Sequence, residues 1–417
     1  MIKRAVLPLL VSHLKEKEIT LLTGPRQVGK TFLMQLLRET LQKRGEPCLY
    51  LNLDIEADRP FFASQKSLLQ RVRLEVGEKR GFVFIDEIQR KIDAGLFLKG
   101  LYDMNTPYKF IVSGSGSLEL KEKIHESLAG RKRIFAIDPV NIFEFVNYKT
   151  GYKYEDRLDD FFVAQNDASL QFLEEYLVFG GYPRVILAET SEKKSEEMKE
   201  IYESYVEKDI RGLLTVEKPD AFTNLLKVIA SQIGSLVNIT ELSSTIGISA
   251  HTIQAYLWYL EKTFVLLRVT PFYRNVRKEI TKAPVYYFYD QGLRNFLLGL
   301  FGLPTIPQVL RGHLFENVVF NLLRAAMPVG TSIHFWRTRD NAEVDFILQT
   351  GLIPIPVEAK YKKLDRPEIS RSFRSFLAGY KPSAAYFIHL GQKMEERRGP
   401  SVITFLPFYA LKQGIFS

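Results

Sequence analysis

Residues 18–41 contain the sequence feature that most restricts how this chain folds. The segment reads EITLLTGPRQVGKTFLMQLLRETL: an apolar strand, a glycine-bearing loop and an amphipathic helix. The loop matches G-x-x-x-x-G-K-T from Gly24 to Thr31, and its glycines let backbone N–H groups and the helix N-terminus surround phosphates. Because the strand and the helix flank the loop on the correct sides, the segment predicts a nucleotide-binding α/β domain.

The loop motif predicts which residues bind the nucleotide. All eight positions of the motif are expected to bind ATP: Gly24, Pro25, Arg26, Gln27, Val28, Gly29, Lys30 and Thr31. Lys30 is predicted to reach the β- and γ-phosphates, and the Thr31 hydroxyl is predicted to ligate Mg²⁺.

Two later strands end in polar residues that suit the same site. FVFIDE (82–87) predicts a buried strand of a parallel sheet, with its acids at the C-terminal end, where such sheets bind ligands. Asp86 is predicted to hold Mg²⁺ and Glu87 to polarise the attacking water. KFIVSGSGS (109–117) ends in hydroxyl residues, of which Ser113 and Ser115 are placed to sense the γ-phosphate. Helix capping is the alternative role for these serines.

These motifs together resemble the AAA-type ATPases. GPRQVGKT, FVFIDE, VSGSGS and LAGRKRIFAIDPVNIFEF follow in the order shown by one prokaryotic branch, whose C-terminal domain of unknown function has a restriction-endonuclease-like core. The resemblance covers the whole chain and includes FGGYPR (179–184), which in such proteins closes a small helical lid. It implies an arginine that touches the γ-phosphate of the same or a neighbouring subunit, and the second case would make the protein a homo-oligomer. The candidates are Arg131, Arg133 and Arg184, and Arg131 is assigned to the nucleotide site.

Composition limits where the protein works and what it contacts. Cys48 is the only cysteine in 417 residues, so an intramolecular disulfide and a thiolate zinc cluster are excluded, and a cytoplasmic setting is expected. No stretch approaches the ~18 uninterrupted apolar residues of a membrane helix, and AVLPLLV near the N-terminus lacks a signal-peptide cleavage site. The formal net charge of +9 favours polyanionic partners.

The pattern between residues 221 and 290 predicts a winged helix. AFTNLLKVIASQIG, ITELSSTIG and AHTIQAYLWYLEK read as three helices, followed by the strands FVLLRV and VYYFYD. The third helix has no Lys or Arg before Lys262, although base and phosphate contacts usually need them. The wing is the segment RNVRKEITKAP between these two strands. It carries the positive charge, at Arg274, Arg277, Lys278 and Lys282. Two roles for this winged helix stay open: it contacts DNA through the wing, or it is a structural module that joins two other domains.

After a proline-bearing linker (303–308), the order of elements is αβββαβ. The helix RGHLFENVVFNLLRAA precedes the strands SIHFWRT, EVDFIL and IPVEAK, and the helix RPEISRSFRSFLAGY, capped by Asp365, precedes the strand AAYFIHL. This order resembles the core of the PD-(D/E)xK nucleases. The resemblance implies catalysis by Lys360 beside a metal held by acids, although Val344 replaces the proline of the family's motif.

Strand geometry places the acids of this segment together. If Leu348 lies opposite Ile355, Asp345 faces Glu358 across a hairpin, and like charges in such a pair destabilise the sheet. A bound divalent cation converts that repulsion into ligation, and carboxylate oxygens suit Mg²⁺ or Mn²⁺. Glu316 lies within an otherwise apolar helix, where an unpaired carboxylate is costly, and is the third predicted ligand. The alternative is a nuclease fold that has lost activity and only binds a partner.

These patterns predict a multidomain α/β protein in four parts. They are an AAA-type P-loop ATPase core (1–150), a helical lid (151–215), a winged helix (216–300) and a nuclease-like domain (309–417). The expected function is ATP hydrolysis that drives or licenses an action on nucleic acid, most specifically DNA. The alternatives are a regulatory switch ATPase with an inactive C-terminal domain, and an ATP-driven DNA motor without cleavage.

Overall fold

The computed structural model describes residues 1–115, 128–204, 219–273, 282–304, 306–351 and 353–412. We number the α-helices within these ranges in chain order. They are α1 (Leu7–His13), α2 (Lys30–Gln42), α3 (Gln65–Val76), α4 (Ala94–Asp103), α5 (Ile142–Lys149), α6 (Leu158–Ala164), α7 (Asn166–Phe179), α8 (Pro183–Leu187), α9 (Ser191–Glu203), α10 (Pro219–Ser231), α11 (Ile239–Ile246), α12 (Ala250–Lys262), α13 (Gln291–Leu297), α14 (Gln308–Ala326) and α15 (Arg371–Tyr380).

The strands of the same ranges form three sheets. They are β1 (Ile19–Gly24), β2 (Cys48–Asn52), β3 (Gly81–Asp86), β4 (Tyr108–Ser115), β5 (Lys132–Ala136), β6 (Leu266–Val269), β7 (Val285–Phe288), β8 (Ser332–Arg337), β9 (Glu343–Gln349), β10 (Ile355–Ala359), β11 (Ala384–His389), β12 (Met394–Arg398) and β13 (Ser401–Pro407). The first five strands form one sheet, β6 and β7 pair with each other, and the last six form the third sheet.

The first sheet is parallel and has the order β2-β3-β4-β1-β5. Strands β1 and β3 are buried along their whole length and are mostly apolar, because both faces of the sheet are covered. Leu21 and Leu22 are neighbours in β1, yet they belong to separate core clusters on opposite faces. In a parallel sheet all the C-terminal strand ends meet at one edge, so the ends of β1, β3 and β4 converge.

The middle part has the predicted element order. Helices α10, α11 and α12 precede the antiparallel pair β6–β7. Gly247 ends α11 with φ of 75°, and the Ser249 hydroxyl caps α12 by accepting from the Thr252 amide. Lys282 is exposed, as expected of a wing residue. The other predicted basic wing positions lie outside the described residues, and they are Arg274, Arg277 and Lys278.

The third sheet contains the predicted hairpin and two strands that the sequence patterns did not predict. Its order is β12-β13-β11-β10-β9-β8, and Leu348 pairs with Ile355 in the predicted register. Strands β12 and β13 extend the sheet beyond β11. The prediction that Asp365 caps the next helix is wrong. Helix α15 begins five residues later than predicted, because the extended residue Ser370 caps it by accepting from the Phe373 amide.

The lid and the C-terminal sheet are joined through α13. Asp290 accepts hydrogen bonds from the Gly181 amide (2.6 Å) and the Leu293 amide (2.9 Å), so it ties the FGGYPR segment to the start of α13. The Asn295 side chain donates to the carbonyl of Leu177 at the end of α7. One hydrophobic core accordingly continues from the face of the first sheet through the lid to Leu348 in β9.

Candidate functional site

The phosphate-loop sequence forms a tight turn between β1 and α2. Gly24 and Gly29 have φ values of 150° and 94°, which favour glycine. A Cβ atom at Gly24 would overlap the carbonyl oxygen of Ile137, so the loop packs closely against the chain that follows β5. Gly29 immediately precedes α2, so the loop lies at the N-terminus of that helix, where backbone N–H groups favour anions.

Lys30 and Thr31 connect this loop to the second motif. Lys30 is 6% exposed, and its ammonium group donates to the carbonyls of Gly24 (3.0 Å) and Pro25 (2.5 Å). The Thr31 hydroxyl donates to Asp86 Oδ2 over 2.7 Å. The two motifs therefore meet in space, as the parallel sheet requires.

Asp86 is fully buried at the end of β3 and accepts several hydrogen bonds. Oδ2 accepts from Thr31 and from the Tyr50 hydroxyl (2.6 Å), and Oδ1 accepts from the Ser113 hydroxyl and the Glu87 amide (3.1 Å). The carboxylate and hydroxyl oxygens at this point are the donor type that Mg²⁺ prefers, so the residues present fit that ion. Ser113 contacts Asp86 directly. The Ser115 side chain lies outside the described part of the structure, so its role stays a prediction.

Glu87 occupies a backbone conformation that is unusual for its residue type. Its φ of 57° lies in the left-handed region, a strained state that is often found at functional sites. Burial and the neighbouring Asp86 carboxylate raise the pKa of Glu87 above its usual value. Gln89 donates a hydrogen bond to its carboxylate. Glu87 lines a cavity of about 600 Å³ together with Lys30, Thr31 and Arg184.

The structure does not place Arg131 at this cavity. Its carbonyl accepts from the Ile19 amide at the start of β1, five residues from Gly24, or about 17 Å at strand spacing. Its guanidinium pairs with Asp103 (2.7 Å). The assignment of Arg131 to its own chain's nucleotide is therefore wrong, because parallel pairing puts it at the opposite end of the strands. Arg133 is exposed on the edge strand β5.

Arg184, at the start of α8, is the candidate arginine that lines the cavity. It donates to Gln27 Oε1 in the phosphate loop over 3.2 Å. It also pairs with Glu197 (2.5 Å) and Glu200 (2.9 Å) on α9. The guanidinium group thereby connects the lid to the loop, and Gln27 makes a second connection by donating to the Ser204 hydroxyl at the end of α9 (3.4 Å).

A second candidate site lies in the C-terminal sheet. Asp345 Oδ2 accepts from the Ala359 amide (2.8 Å), and Lys360 pairs with Glu358 Oε1 (2.7 Å). Burial and the Glu358 and Glu316 carboxylates raise the pKa of Asp345 well above its usual value. Burial also raises the pKa of Glu358, although Lys360 opposes this. Burial lowers the pKa of Lys360, but the two carboxylates outweigh it and the net shift is upward.

Two observations bear on whether these acids fit a cation. Glu358 Oε2 is buried and accepts no hydrogen bond from any residue in the described part of the chain. Such an unpaired buried oxygen fits a divalent ion held between Glu358 and Asp345. Glu316 accepts instead from the Tyr287 hydroxyl and lies 3.5 Å from His313 Nδ1. Within the described ranges no group of three or more His, Cys, Asp or Glu side chains is arranged to hold a metal, so Glu316 as third ligand stays a prediction.

Sequence reasoning missed residues that support both sites. Tyr50 and Tyr287 contact predicted site residues that are distant in sequence, so no local motif marks them. His313 lies three residues before Glu316 on α14, and that helical spacing was a signal for their contact. Arg4 is 9% exposed and donates to the Val28 carbonyl (2.9 Å) and to Glu144 (3.2 Å), which anchors the phosphate loop. For Arg4, the only signal in the sequence was the position of a charged residue just before the apolar helix α1.

Three family models match separate parts of the chain. Residues 16–146 match the AAA domain family, residues 170–303 match a domain of unknown function (DUF8612), and residues 311–411 match another (DUF4143). The first match confirms the predicted class, so the N-terminal part is a P-loop AAA-type ATPase domain. The winged-helix and nuclease-like assignments stay predictions.

Relatives occur in bacteria and archaea. An uncharacterized protein of Mycobacterium tuberculosis is 27% identical over 378 residues, covering 90% of this chain and 77% of that protein. One of Methanocaldococcus jannaschii is 25% identical over 337 residues, covering 79% and 72%. Among solved structures, AMPPCP-bound DnaA from Aquifex aeolicus aligns with a TM-score of 0.27 at 13% identity, covering 63% of this chain and 90% of that one. The AAA-type assignment therefore rests on the family match.

The described helices give one further finding. None of them combines the length and the apolar character that crossing a membrane requires.

Proposed function

We propose that this protein hydrolyses ATP at the phosphate loop and uses the cycle to act on nucleic acid, specifically DNA, through its C-terminal domain. The contact between Thr31 and Asp86 is the main support for ATP hydrolysis, because it joins both nucleotide motifs beside the cavity that Lys30 and Glu87 line. The proposed layout is an ATPase core, a helical lid, a winged-helix connector and a nuclease-like domain.

Each nucleotide-site residue has a distinct part in the proposed reaction. Lys30 binds the β- and γ-phosphates, and Thr31 and Asp86 would hold a Mg²⁺ ion, which would neutralise charge on the phosphates when bound. Glu87 accepts a hydrogen bond from the attacking water and orients it. Burial and the Asp86 carboxylate raise the pKa of Glu87, which makes its ionised carboxylate a stronger acceptor for the proton of the attacking water. Arg184 senses the γ-phosphate through its position beside Gln27.

The C-terminal acids support the second half of the proposal. Asp345 and Glu358 are adjacent across the hairpin, and the buried, unpaired Glu358 Oε2 is suited to a Mg²⁺ or Mn²⁺ ion. The ion would polarise a phosphodiester and activate water when bound. Lys360 is paired with Glu358 and lines a cavity of about 550 Å³, where it is available to a phosphate oxygen. Arg311 and Lys362 line the same cavity and suit a polyanion.

The regulatory alternative also has an observation in its favour. Lys360 already neutralises one Glu358 oxygen, and no three-residue metal group forms in the described ranges. In that case the C-terminal domain binds a partner without cutting it. A DNA motor without cleavage is the other alternative.

One experiment separates these functions. Plasmid and linear DNA are incubated with the protein, with and without ATP and Mg²⁺, and both phosphate release and strand breaks are followed. We expect breaks that need Mg²⁺ and Asp345, and phosphate release that needs Glu87, tested with Asp345→Asn and Glu87→Gln. Phosphate release that DNA stimulates without breaks identifies the motor. Phosphate release that DNA does not change identifies the regulatory switch. The absence of phosphate release rejects the ATPase proposal.

A further inference from the structure

Tyr50 lies on β2, outside every nucleotide motif, yet its hydroxyl donates to Asp86 Oδ2 over 2.6 Å. The same oxygen accepts from Thr31 over 2.7 Å. We propose that Tyr50 is a positioning residue that fixes the Asp86 carboxylate for Mg²⁺, so that metal affinity at this site depends on its hydroxyl. This inference rests on the proposed ATPase function and adds a residue to its metal site.

The sheet explains why Tyr50 can reach Asp86. Strands β2 and β3 are parallel neighbours, in which Asn52 pairs with Asp86 and Tyr50 pairs with Phe84. The Tyr50 side chain spans the two residues from its own position to the strand end. The Arg38 guanidinium lies 5.8 Å from the centre of the Tyr50 ring and comes from α2, the helix that begins at Lys30. The phenol is therefore held between the second strand and the phosphate-loop helix.

The hydrogen bonds on Asp86 show what removal of the hydroxyl does. On Oδ1 the Ser113 hydroxyl and the Glu87 amide both donate, so the carboxylate keeps these two hydrogen bonds, but loses one on its other oxygen, in any Tyr50 variant. On Oδ2 the remaining hydrogen-bond donor among the described residues is Thr31, which is itself a predicted Mg²⁺ ligand. Without Tyr50, the orientation of Oδ2 depends on a residue whose hydroxyl is shared with the ion. Residues that orient metal ligands in this way typically change metal affinity by about 10- to 100-fold when they are mutated.

The test compares two variants that each lose one phenol hydroxyl. Tyr50→Phe removes the contact to Asp86, and Tyr108→Phe removes a 2.6 Å hydrogen bond to the Gly77 carbonyl in the same domain. Binding of a fluorescent ATP analogue to the full chain is measured against Mg²⁺ concentration, and phosphate release is measured in parallel. For Tyr50→Phe we expect the half-saturating Mg²⁺ concentration to rise about tenfold. Nucleotide affinity in EDTA stays within about twofold, and Tyr108→Phe behaves as the wild type.

A second measurement separates positioning from a structural role. In the Asp86→Asn background, Tyr50→Phe adds no further change in Mg²⁺ dependence if it acts through Asp86. Melting temperatures in EDTA show whether Tyr50→Phe has damaged the fold instead. The inference is overturned if the Mg²⁺ dependence of Tyr50→Phe matches the wild type, or if its nucleotide affinity in EDTA falls together with its melting temperature. Binding by the wild type that does not depend on Mg²⁺ also overturns the inference, whereas the absence of phosphate release by the wild type in Mg²⁺ rejects the proposed function itself.

Discussion

At the scale of single residues, the nucleotide site depends on side chains held in costly states. Glu87 combines a left-handed backbone with a buried carboxylate, and Lys30 is buried with its ammonium on two carbonyls. Such conformations persist only where surrounding contacts over-determine them, and here Asp86 and Ser113 both accept from the Glu87 amide. The two residues should therefore fail in different ways when substituted.

Lys30→Ala should weaken nucleotide binding and turnover together, because Lys30 contacts phosphates in the bound state and the transition state alike. Glu87→Gln should keep nucleotide affinity within a few-fold and lower phosphate release by about 100-fold or more, because only the water-orienting carboxylate is lost. Equilibrium binding and steady-state phosphate release on both variants check this. An equal loss of affinity in the two variants contradicts the assignments.

Asp345→Asn tests the carboxylate pair through pH. Burial and nearby carboxylates raise the pKa of Asp345 in the folded protein, so the native state binds this proton more tightly than the unfolded chain. The raised pKa stabilises the fold below the pKa of the unfolded chain, and this stabilisation is lost as the pH rises through the pKa of the folded protein. Asparagine does not ionise, so Asp345→Asn does not lose stability in this way. We expect the variant to melt at an equal or higher temperature at pH 8 and to lose the stabilisation by Mg²⁺ or Mn²⁺ that the nucleotide-free wild type shows.

The control for this prediction is Asp340→Asn, an exposed residue of the turn between β8 and β9. It should change neither the melting temperature nor the metal response. Asp345 is structural, and the nuclease-like site is rejected, if Asp345→Asn lowers the melting temperature at pH 8 while the metal response remains.

At the scale of elements, the junction between lid and α13 is built on two glycines and one acid. A Cβ atom at Gly181 would overlap the Val140 carbonyl, and one at Gly292 would overlap the Phe179 carbonyl, so backbones meet directly there. Asp290 uses both carboxylate oxygens, one for each of two backbone amides. The end of α7, which leads to Arg184, is thus fixed to the element that precedes the C-terminal domain.

Asp290→Asn should destabilise this junction. An amide side chain has one acceptor oxygen and turns an NH₂ group towards the other buried amide, so one backbone donor loses its partner. The expected cost is about 1–3 kcal/mol of unfolding free energy. Denaturant unfolding of the full chain measures it, with Asp167→Asn, an exposed residue in the first turn of α7, as the matched control. Equal stability of both variants contradicts this role for Asp290.

Local patterns predicted most of these elements, and non-local contacts account for what they missed. The phosphate loop, the β3 acids and the Ser249 cap depend on neighbouring residues and were predicted. Strand β12 reads MEERR and carries no apolar alternation, so only its pairing with β13 makes it a strand. Arg131 was misplaced because its distance from the nucleotide depends on which strands pair, and the Tyr50 contact depends on the same strand order.

At the scale of the whole molecule, a continuous core links the ATPase face to the C-terminal sheet. Tyr361, next to Lys360, donates to Glu174 on α7, and Arg311 pairs with the same Glu174 (3.4 Å). The lid helix α7 is therefore in contact with residues beside the C-terminal candidate site. This contact and the continuous core are a physical route for the proposed coupling between the nucleotide site and the C-terminal domain.

DNA binding should depend steeply on salt, because basic side chains displace counterions from the phosphates. Neutralising the predicted wing residues with Arg277→Gln and Lys278→Gln should lower the slope of log affinity against log salt by about one unit per charge. The matched control is Lys43→Gln with Arg44→Gln, an exposed basic pair after α2. Fluorescence anisotropy on labelled DNA gives the slopes, and an unchanged slope in the wing variant removes the wing from the interface.

The central claim is that the phosphate-loop site hydrolyses ATP in response to nucleic acid. The most direct measurement is the steady-state release of inorganic phosphate by wild type and Glu87→Gln in Mg²⁺, titrated with linear DNA. We predict release by the wild type that rises with DNA concentration and is almost absent in Glu87→Gln at every point. Wild-type release that does not exceed that of Glu87→Gln, or that is indifferent to DNA, would contradict the claim.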